Sequence, residues 1–332
     1  ELASGAPSLP LPTYPAPVEH CDVCRWTVEC RARWRTDDDL SLVAGLTARQ
    51  RAALTAEGGP STRTALAEHT IDPTARLAGI GRDAMTRIQA QAAIQVAGER
   101  QGQLLSERIP LAKSRDGEWV ADYGLLMLPE PSPGDLFFDM EGDPFFASTE
   151  VDGIDYLFGV YEPGMIDEDG TPTFHALWAI EDGTVTPGGE RRAFEQFIDL
   201  VMNRRAADPA MHVYHYAPYE TTAVKRLAGR YGTRESEVDE LLRGGVFVDL
   251  YRAVRQGIRA SVESYSIKRL EPLYGFKREI DLRDANTSII EFENWLELGA
   301  GDSRTEILEQ IEGYNRDDCV STYLLRNWLE QQ

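Results

Sequence analysis

The 332-residue sequence has no stretch approaching eighteen consecutive apolar residues, which excludes a membrane-spanning helix. Positive charge is scarce: 34 Lys and Arg stand against 55 Asp and Glu, a net charge of −21, which argues against a surface coated with phosphate-binding cations. Thirty of those 34 basic residues are Arg. Only four cysteines occur, three of them between Cys21 and Cys30, so a disulfide framework is excluded and the spacing is that of ligands. A reducing, cytoplasmic compartment is the expectation. The chain opens at Glu1 with no basic segment leading into an apolar one, so no signal peptide is read and an upstream portion is expected. There are no internal repeats.

What is present is an ordinary globular composition, 42% hydrophobic and 27% charged, over a length suited to roughly two domains at about 150 residues each. The charge divides them. Residues 1–120 hold 14 basic and 15 acidic residues, whereas residues 121–332 hold 20 and 40. A Pro-rich linker over 1–17 leads into a cysteine segment over 18–40, followed by Ala, Leu, Ile and Arg at helical spacing over 41–100. Periodicity fades over 101–133, read as a second linker closed by Pro129, Pro131 and Pro133. Over 134–332 the pattern is strands at Leu136 to Met140, Tyr156 to Tyr161 and Phe174 to Ile180, then strand and helix in alternation, ending in a helix from about Ser303 to Trp328. That order predicts an α/β fold with a mixed sheet flanked by helices behind an all-α segment.

Acids interrupt the apolar run Phe137-Phe138-Asp139-Met140-Glu141-Gly142-Asp143. On a strand, Asp139 and Glu141 share one face while Phe138 and Met140 share the other. Two neighbouring carboxylates in a half-buried strand repel each other and resist desolvation, a conflict that a hard divalent cation such as Mg²⁺ or Mn²⁺ resolves. An edge strand with both acids facing solvent is the competing reading. Near the end of the chain, Tyr314 and Asp318 stand one helical turn apart, with Asp317 as the rival acid. Glu220 opens a helix after Pro218, where a carboxylate is also favoured by the helix dipole alone. Asp143, Asp249 and His215 are read as local hydrogen-bonding residues.

Asp139-x-Glu141, then Glu220 after an aromatic, then Tyr314-x-x-x-Asp318 resemble the DnaQ-like 3′→5′ exonuclease superfamily in its DEDDy form, on the ribonuclease H-like fold. More closely, Phe137 to Pro144, His215 to Glu220, Tyr265 to Glu271 and Tyr314 to Cys319 resemble the ribonuclease H-like domain of RecB-family nucleases, which are often fused to a helicase. The resemblance implies two-metal phosphodiester hydrolysis at single-stranded DNA or RNA ends. In it Asp139 bridges two Mg²⁺ or Mn²⁺ ions, Glu141 and Asp318 complete one site, Glu220 serves the other, and Tyr314 positions the nucleophile. Glu220 departs from the pattern, where Asp is usual. The alternative is a catalytically inactive nucleic-acid-binding or scaffolding module.

Cys21-x-x-Cys24 with Cys30 resembles the cysteine tail of iron-sulfur nuclease domains in RecB-like and AddB-like proteins, implying a 4Fe-4S cluster whose fourth ligand lies outside this chain, in an upstream nuclease region of the same polypeptide. Zinc with His20 as fourth ligand, or three buried thiols, are the other readings. Gly79-Ile80-Gly81-Arg82 resembles a helix-hairpin-helix, whose glycines bring backbone N–H groups to a phosphate at a helix start; an ordinary αα-turn is the alternative.

Overall fold

The computed structural model describes residues 14–22, 24–56, 58–70, 80–149, 151–280, 285–298 and 302–332. The chain divides into two compact units, Glu1–Gln103 and Leu104–Gln332.

The first unit is helical, with α1 at Thr27–Thr36, α2 at Ala48–Ala56, α3 at Arg63–Glu68 and α4 at Arg82–Gln101. Leu40, Val43, Leu54, Leu66, Ile80, Met85, Ile88 and Ala92 form its core. Asp38 ties the start of α3 by accepting from the Thr64 backbone N–H at 2.7 Å and from Arg63 Nε at 2.9 Å.

The second unit begins with β1 (Ser106–Arg108) and continues through β2 (Leu136–Ala147), β3 (Asp152–Ile166), β4 (Pro172–Trp178), β5 (Ile180–Glu181), β6 (Thr184–Val185), β7 (Val213–His215), β8 (Phe247–Asp249) and β9 (Ile258–Ala260). Its helices are α5 (Pro187–Ala207), α6 (Tyr219–Tyr231), α7 (Glu235–Arg243), α8 (Leu250–Gly257), α9 (Ile267–Leu270), α10 (Ala285–Glu297) and α11 (Asp302–Glu330). Five strands form one mixed sheet in the order β4-β3-β2-β7-β8. The first three are an antiparallel meander, while β7 and β8 join in parallel beyond β2. Segment 104–133 groups with this unit, and its β1 pairs with β9 away from the main sheet.

Alternation along β2 decides which side is which. Leu136, Phe138 and Met140 point to a core built from Ala193, Phe194, Phe197 and Val201 of α5 together with Val224 and Leu227 of α6. A fully buried Phe such as Phe138 is worth about 1.5–3 kcal/mol, so this apolar set fixes the face of the strand. Phe137, Asp139 and Glu141 therefore point the opposite way. There Phe137 stacks on Tyr214 and meets Tyr323 of α11 edge-on, and Tyr156, Phe292, Trp295 and Ile311 close a second core. The acids sit between these two aromatic patches, on the central strand beneath the last helix.

Candidate active site

The edge-strand reading of Asp139 and Glu141 does not hold, because β2 is the middle strand of five. Register places Asp139 opposite Gly159 and Glu141 opposite Leu157, with a bulge immediately after Glu141. Helix α11 packs across β2 and β3 on this face and brings Asp318 to them. Carboxylate oxygens of Asp139, Glu141 and Asp318 all lie within 4.8 Å of one another, the one such gathering of three or more His, Cys, Asp or Glu among the described residues. Glu141 is buried, whereas the Asp318 side chain keeps 13% of its exposure.

Crowding three carboxylates into a partly desolvated site disfavours their charged forms. Burial first, then Asp318 and Glu141, raise the Asp139 carboxyl well above its ordinary range, with Lys268 opposing. Burial and Asp318 push Glu141 up to about 8. The protein offers partial compensation. Asn315 Nδ2 donates to Asp139 Oδ2 at 2.8 Å, and Ser288 Oγ donates to Glu141 Oε2 at 3.0 Å, with the Tyr156 hydroxyl 3.0 Å behind it. Arg278 Nη2 donates to Asp318 Oδ1 at 2.6 Å. Three clustered hard oxygens, two of them on carboxyls that hold their protons unusually tightly, suit a divalent cation, which would displace those protons.

Tyr314 lies one turn before Asp318, buried at 3% exposure. Lys268 Nζ donates to its hydroxyl and sits 4.4 Å from the ring centroid. Burial, then the charge of Asp318, raises the phenol further above its ordinary value, so it keeps its hydrogen and can donate it. Asp317 is assigned elsewhere: its Oδ2 accepts the backbone N–H groups of Glu279 at 3.0 Å and Ile280 at 3.1 Å. Cys319 is fully buried, donates to the Gly159 carbonyl at 3.4 Å, and its thiol is raised by burial.

Glu220 stands in the first turn of α6 but outside the cluster of three. His215 Nδ1 donates to the Ala217 carbonyl at 2.7 Å and lies 3.3 Å from Glu220 Oε2, so the imidazole holds the carboxylate near the end of β7. Ala217 has φ +84°, an unusual conformation for a residue with a side chain, worth about 1–3 kcal/mol of strain. Asp249 helps fix that turn by accepting the Ala217 N–H at 3.0 Å, while also accepting from the Tyr251 N–H at 2.9 Å to start α8. Glu220 nonetheless adds to the upward shift of Asp139, so its charge reaches the cluster. Asp143 accepts from the Phe145 N–H at 2.8 Å, the local turn role its sequence position suggests.

In the first unit, Cys21, Cys24 and Cys30 are free and half-buried thiols, and they are not gathered within 4.8 Å of one another. None of the three is buried, so the alternative of three buried thiols does not hold. Of the hairpin residues, Gly79 lies outside the described residues, Ile80 enters the first core, Gly81 is the N-cap of α4, and Arg82 opens that helix.

Sequence reasoning missed Asn315, Ser288, Lys268 and Arg278. Asn315 had a signal, since positions 314, 315 and 318 share a helix face. Lys268 and Glu271 lie in the Tyr265 to Glu271 stretch, whose sequence pattern assigns neither a role. Ser288 and Arg278 carry no periodic signal.

Residues 136–330 match the sequence profile of the RNase H superfamily. The chain belongs to that superfamily. Its second unit is an RNase H-like domain of nuclease type, with nucleic acid as the substrate class. No curated protein and no solved structure matches the chain significantly. Among the described residues no helix is long and apolar enough to cross a membrane.

Proposed function

We propose that this protein hydrolyses phosphodiester bonds at single-stranded DNA or RNA ends, as a metal-dependent 3′→5′ exonuclease of the DEDDy type. The observation that carries the reading is the convergence of Asp139, Glu141 and Asp318 oxygens within 4.8 Å, from a central strand and a distant helix, beside Tyr314. Two Mg²⁺ or Mn²⁺ ions, held by Asp139, Glu141 and Asp318 with Glu220 on the outer side, would supply Lewis-acid stabilisation to the attacking and leaving oxygens. Tyr314, its hydroxyl oxygen accepting from Lys268, is left with its single O–H hydrogen free to orient the attacking water. Asn315 and Ser288 each hold one oxygen of the Asp139 and Glu141 carboxylates, which orients these ligands. Polarity, the pairing of ions and the choice of ends rest on the resemblance of the motifs.

The first unit would add affinity for nucleic acid, since the Gly79 to Arg82 sequence resembles a helix-hairpin-helix, whose backbone N–H groups meet phosphate at a helix start. A helicase or an upstream nuclease region of the same polypeptide, the latter completing a cluster at Cys21, Cys24 and Cys30, generates the single strands.

A second reading has specific support. Glu220 is engaged by His215, and Arg278 is bonded to Asp318, so two of the four acids have basic side chains of the protein as partners. On that reading the domain binds nucleic acid without cutting it. Incubation with Mn²⁺ and a 5′-labelled single strand, DNA and RNA in parallel, separates the two. Stepwise shortening that disappears in Asp139→Asn is the expected result; binding without shortening, unchanged by Asp139→Asn, would establish the silent module.

A further inference from the structure

Arg278 is held from several directions and yet is incompletely used. Its Nη2 donates to Glu271 Oε1 at 2.6 Å as well as to Asp318, and Nε reaches Glu271 Oε2 at 3.3 Å. Glu271 is itself oriented by Ser321 Oγ at 3.1 Å, which shares a 2.8 Å hydrogen bond with the Tyr274 hydroxyl. The backbone just after Arg278 is pinned to α11 by the two N–H groups that Asp317 accepts. Ile280 then seats over Gly313, where an added Cβ would come within 2.6 Å of the Ile280 side chain. A charged group positioned this firmly ordinarily has every donor matched. The Nη1 nitrogen of Arg278 does not: it is buried and has no hydrogen-bond partner among the described residues.

An unmatched guanidinium nitrogen beside an acid cluster calls for an acceptor that arrives from outside. A planar N–H fork matches the non-bridging oxygens of a phosphate. Lys268 approaches the same Tyr314 ring as Arg278, at 4.4 and 5.6 Å from the centroid, so two cations lie against one aromatic wall of a unit otherwise rich in acids.

We infer that Arg278, through Nη1, is the receptor for a non-bridging oxygen of the scissile phosphodiester. The inference rests on the hydrolase reading above and assigns a substrate contact within the same site. On binding, the guanidinium keeps its hold on Glu271 and turns its unmatched edge to the phosphate, aligning the linkage with Tyr314. The competing role is that of a counter-ion which only neutralises Asp318.

The test uses the full chain with a short fluorescein-labelled oligothymidylate. Anisotropy in Ca²⁺ reports binding, Mn²⁺ kinetics report kcat/KM, and electron paramagnetic resonance without oligonucleotide reports Mn²⁺ affinity. Arg278→Met and Arg278→Lys should each lower oligonucleotide affinity and kcat/KM by about ten- to hundredfold, as expected for loss of a charge-assisted hydrogen bond, without weakening Mn²⁺ binding. On an oligonucleotide whose terminal linkage is an uncharged methylphosphonate, wild type and Arg278→Met should bind within about twofold of each other. Circular dichroism checks folding, and if Arg278→Met is unfolded the charge-retaining Arg278→Lys decides. A variant that changes Mn²⁺ affinity while leaving oligonucleotide binding and kcat/KM at wild-type values makes Arg278 a counter-ion and overturns the inference alone. Wild-type protein that neither binds nor cuts overturns the hydrolase reading and this contact with it.

Discussion

Gly159 and Asn315 meet so closely that a single methyl group cannot fit between them: a Cβ on Gly159 would lie 1.6 Å from Asn315 Oδ1. Gly159 is also the register partner of Asp139, the residue to which Asn315 donates. Gly159→Ala should therefore drive the amide off Asp139. Activity in Mn²⁺ should drop by roughly 10–100-fold, the usual consequence of losing a group that orients a ligand, while the sheet stays folded. Circular dichroism and rate measurements on the purified variant check this; an active Gly159→Ala protein would mean that Asn315 does not orient Asp139.

The metal-free protein should lose stability as the solution becomes more alkaline. Glu141 rises from its ordinary 4.5 to about 8 in the folded chain, so folding binds its proton more tightly than the unfolded state does. That contribution is fully present below about pH 4.5 and is lost as pH climbs through about 8. Calorimetry in EDTA should show Tm falling over this window, and Mn²⁺ should restore it with release of protons. A flat Tm in EDTA, or ion binding without proton release, contradicts the expectation.

Neighbouring acids on α11 should fail in different ways. Asp317→Ala removes the acceptor for two backbone N–H groups and should cost about 1–3 kcal/mol of stability in urea titrations, with Mn²⁺ affinity kept. Asp318→Asn should instead weaken Mn²⁺ binding by at least the roughly 10–100-fold that even an outer partner is worth. Reversal of this pattern would make Asp317 the ligand.

Glu220→Ala should lower the number of Mn²⁺ ions bound during a titration from two to one, since the cluster of three remains intact. Isothermal titration measures the stoichiometry. Two ions still bound to the variant would place the second site elsewhere.

Much of the second unit was readable because its chemistry is periodic. The alternation Phe138, Asp139, Met140, Glu141 fixes a two-faced strand, and the four-residue step from Tyr314 to Asp318 fixes a helix face; both survive in the structure. The Asp143 and Asp249 turns were readable for the same local reason. Gly159 was not, because its role depends on the register of β3 against β2, which no single strand encodes. The engagement of Glu220 by His215 depends on Ala217 at positive φ, a conformation its residue type does not advertise. Arg278 reaches the acids from a segment outside any helix or strand and Ser288 from α10, a helix that no local pattern ties to β2, so only the folded chain brings them there.

The hydrogen bond from Asn315 to Asp139 joins residues 176 positions apart. Two of the three clustered acids are thus translated long before the third exists. A growing polypeptide on the ribosome carries its first two acids without their partner, and the centre comes together only after nearly the entire unit has emerged. Such long-range closure also predicts slow folding, set by the search for α11 rather than by the local meander.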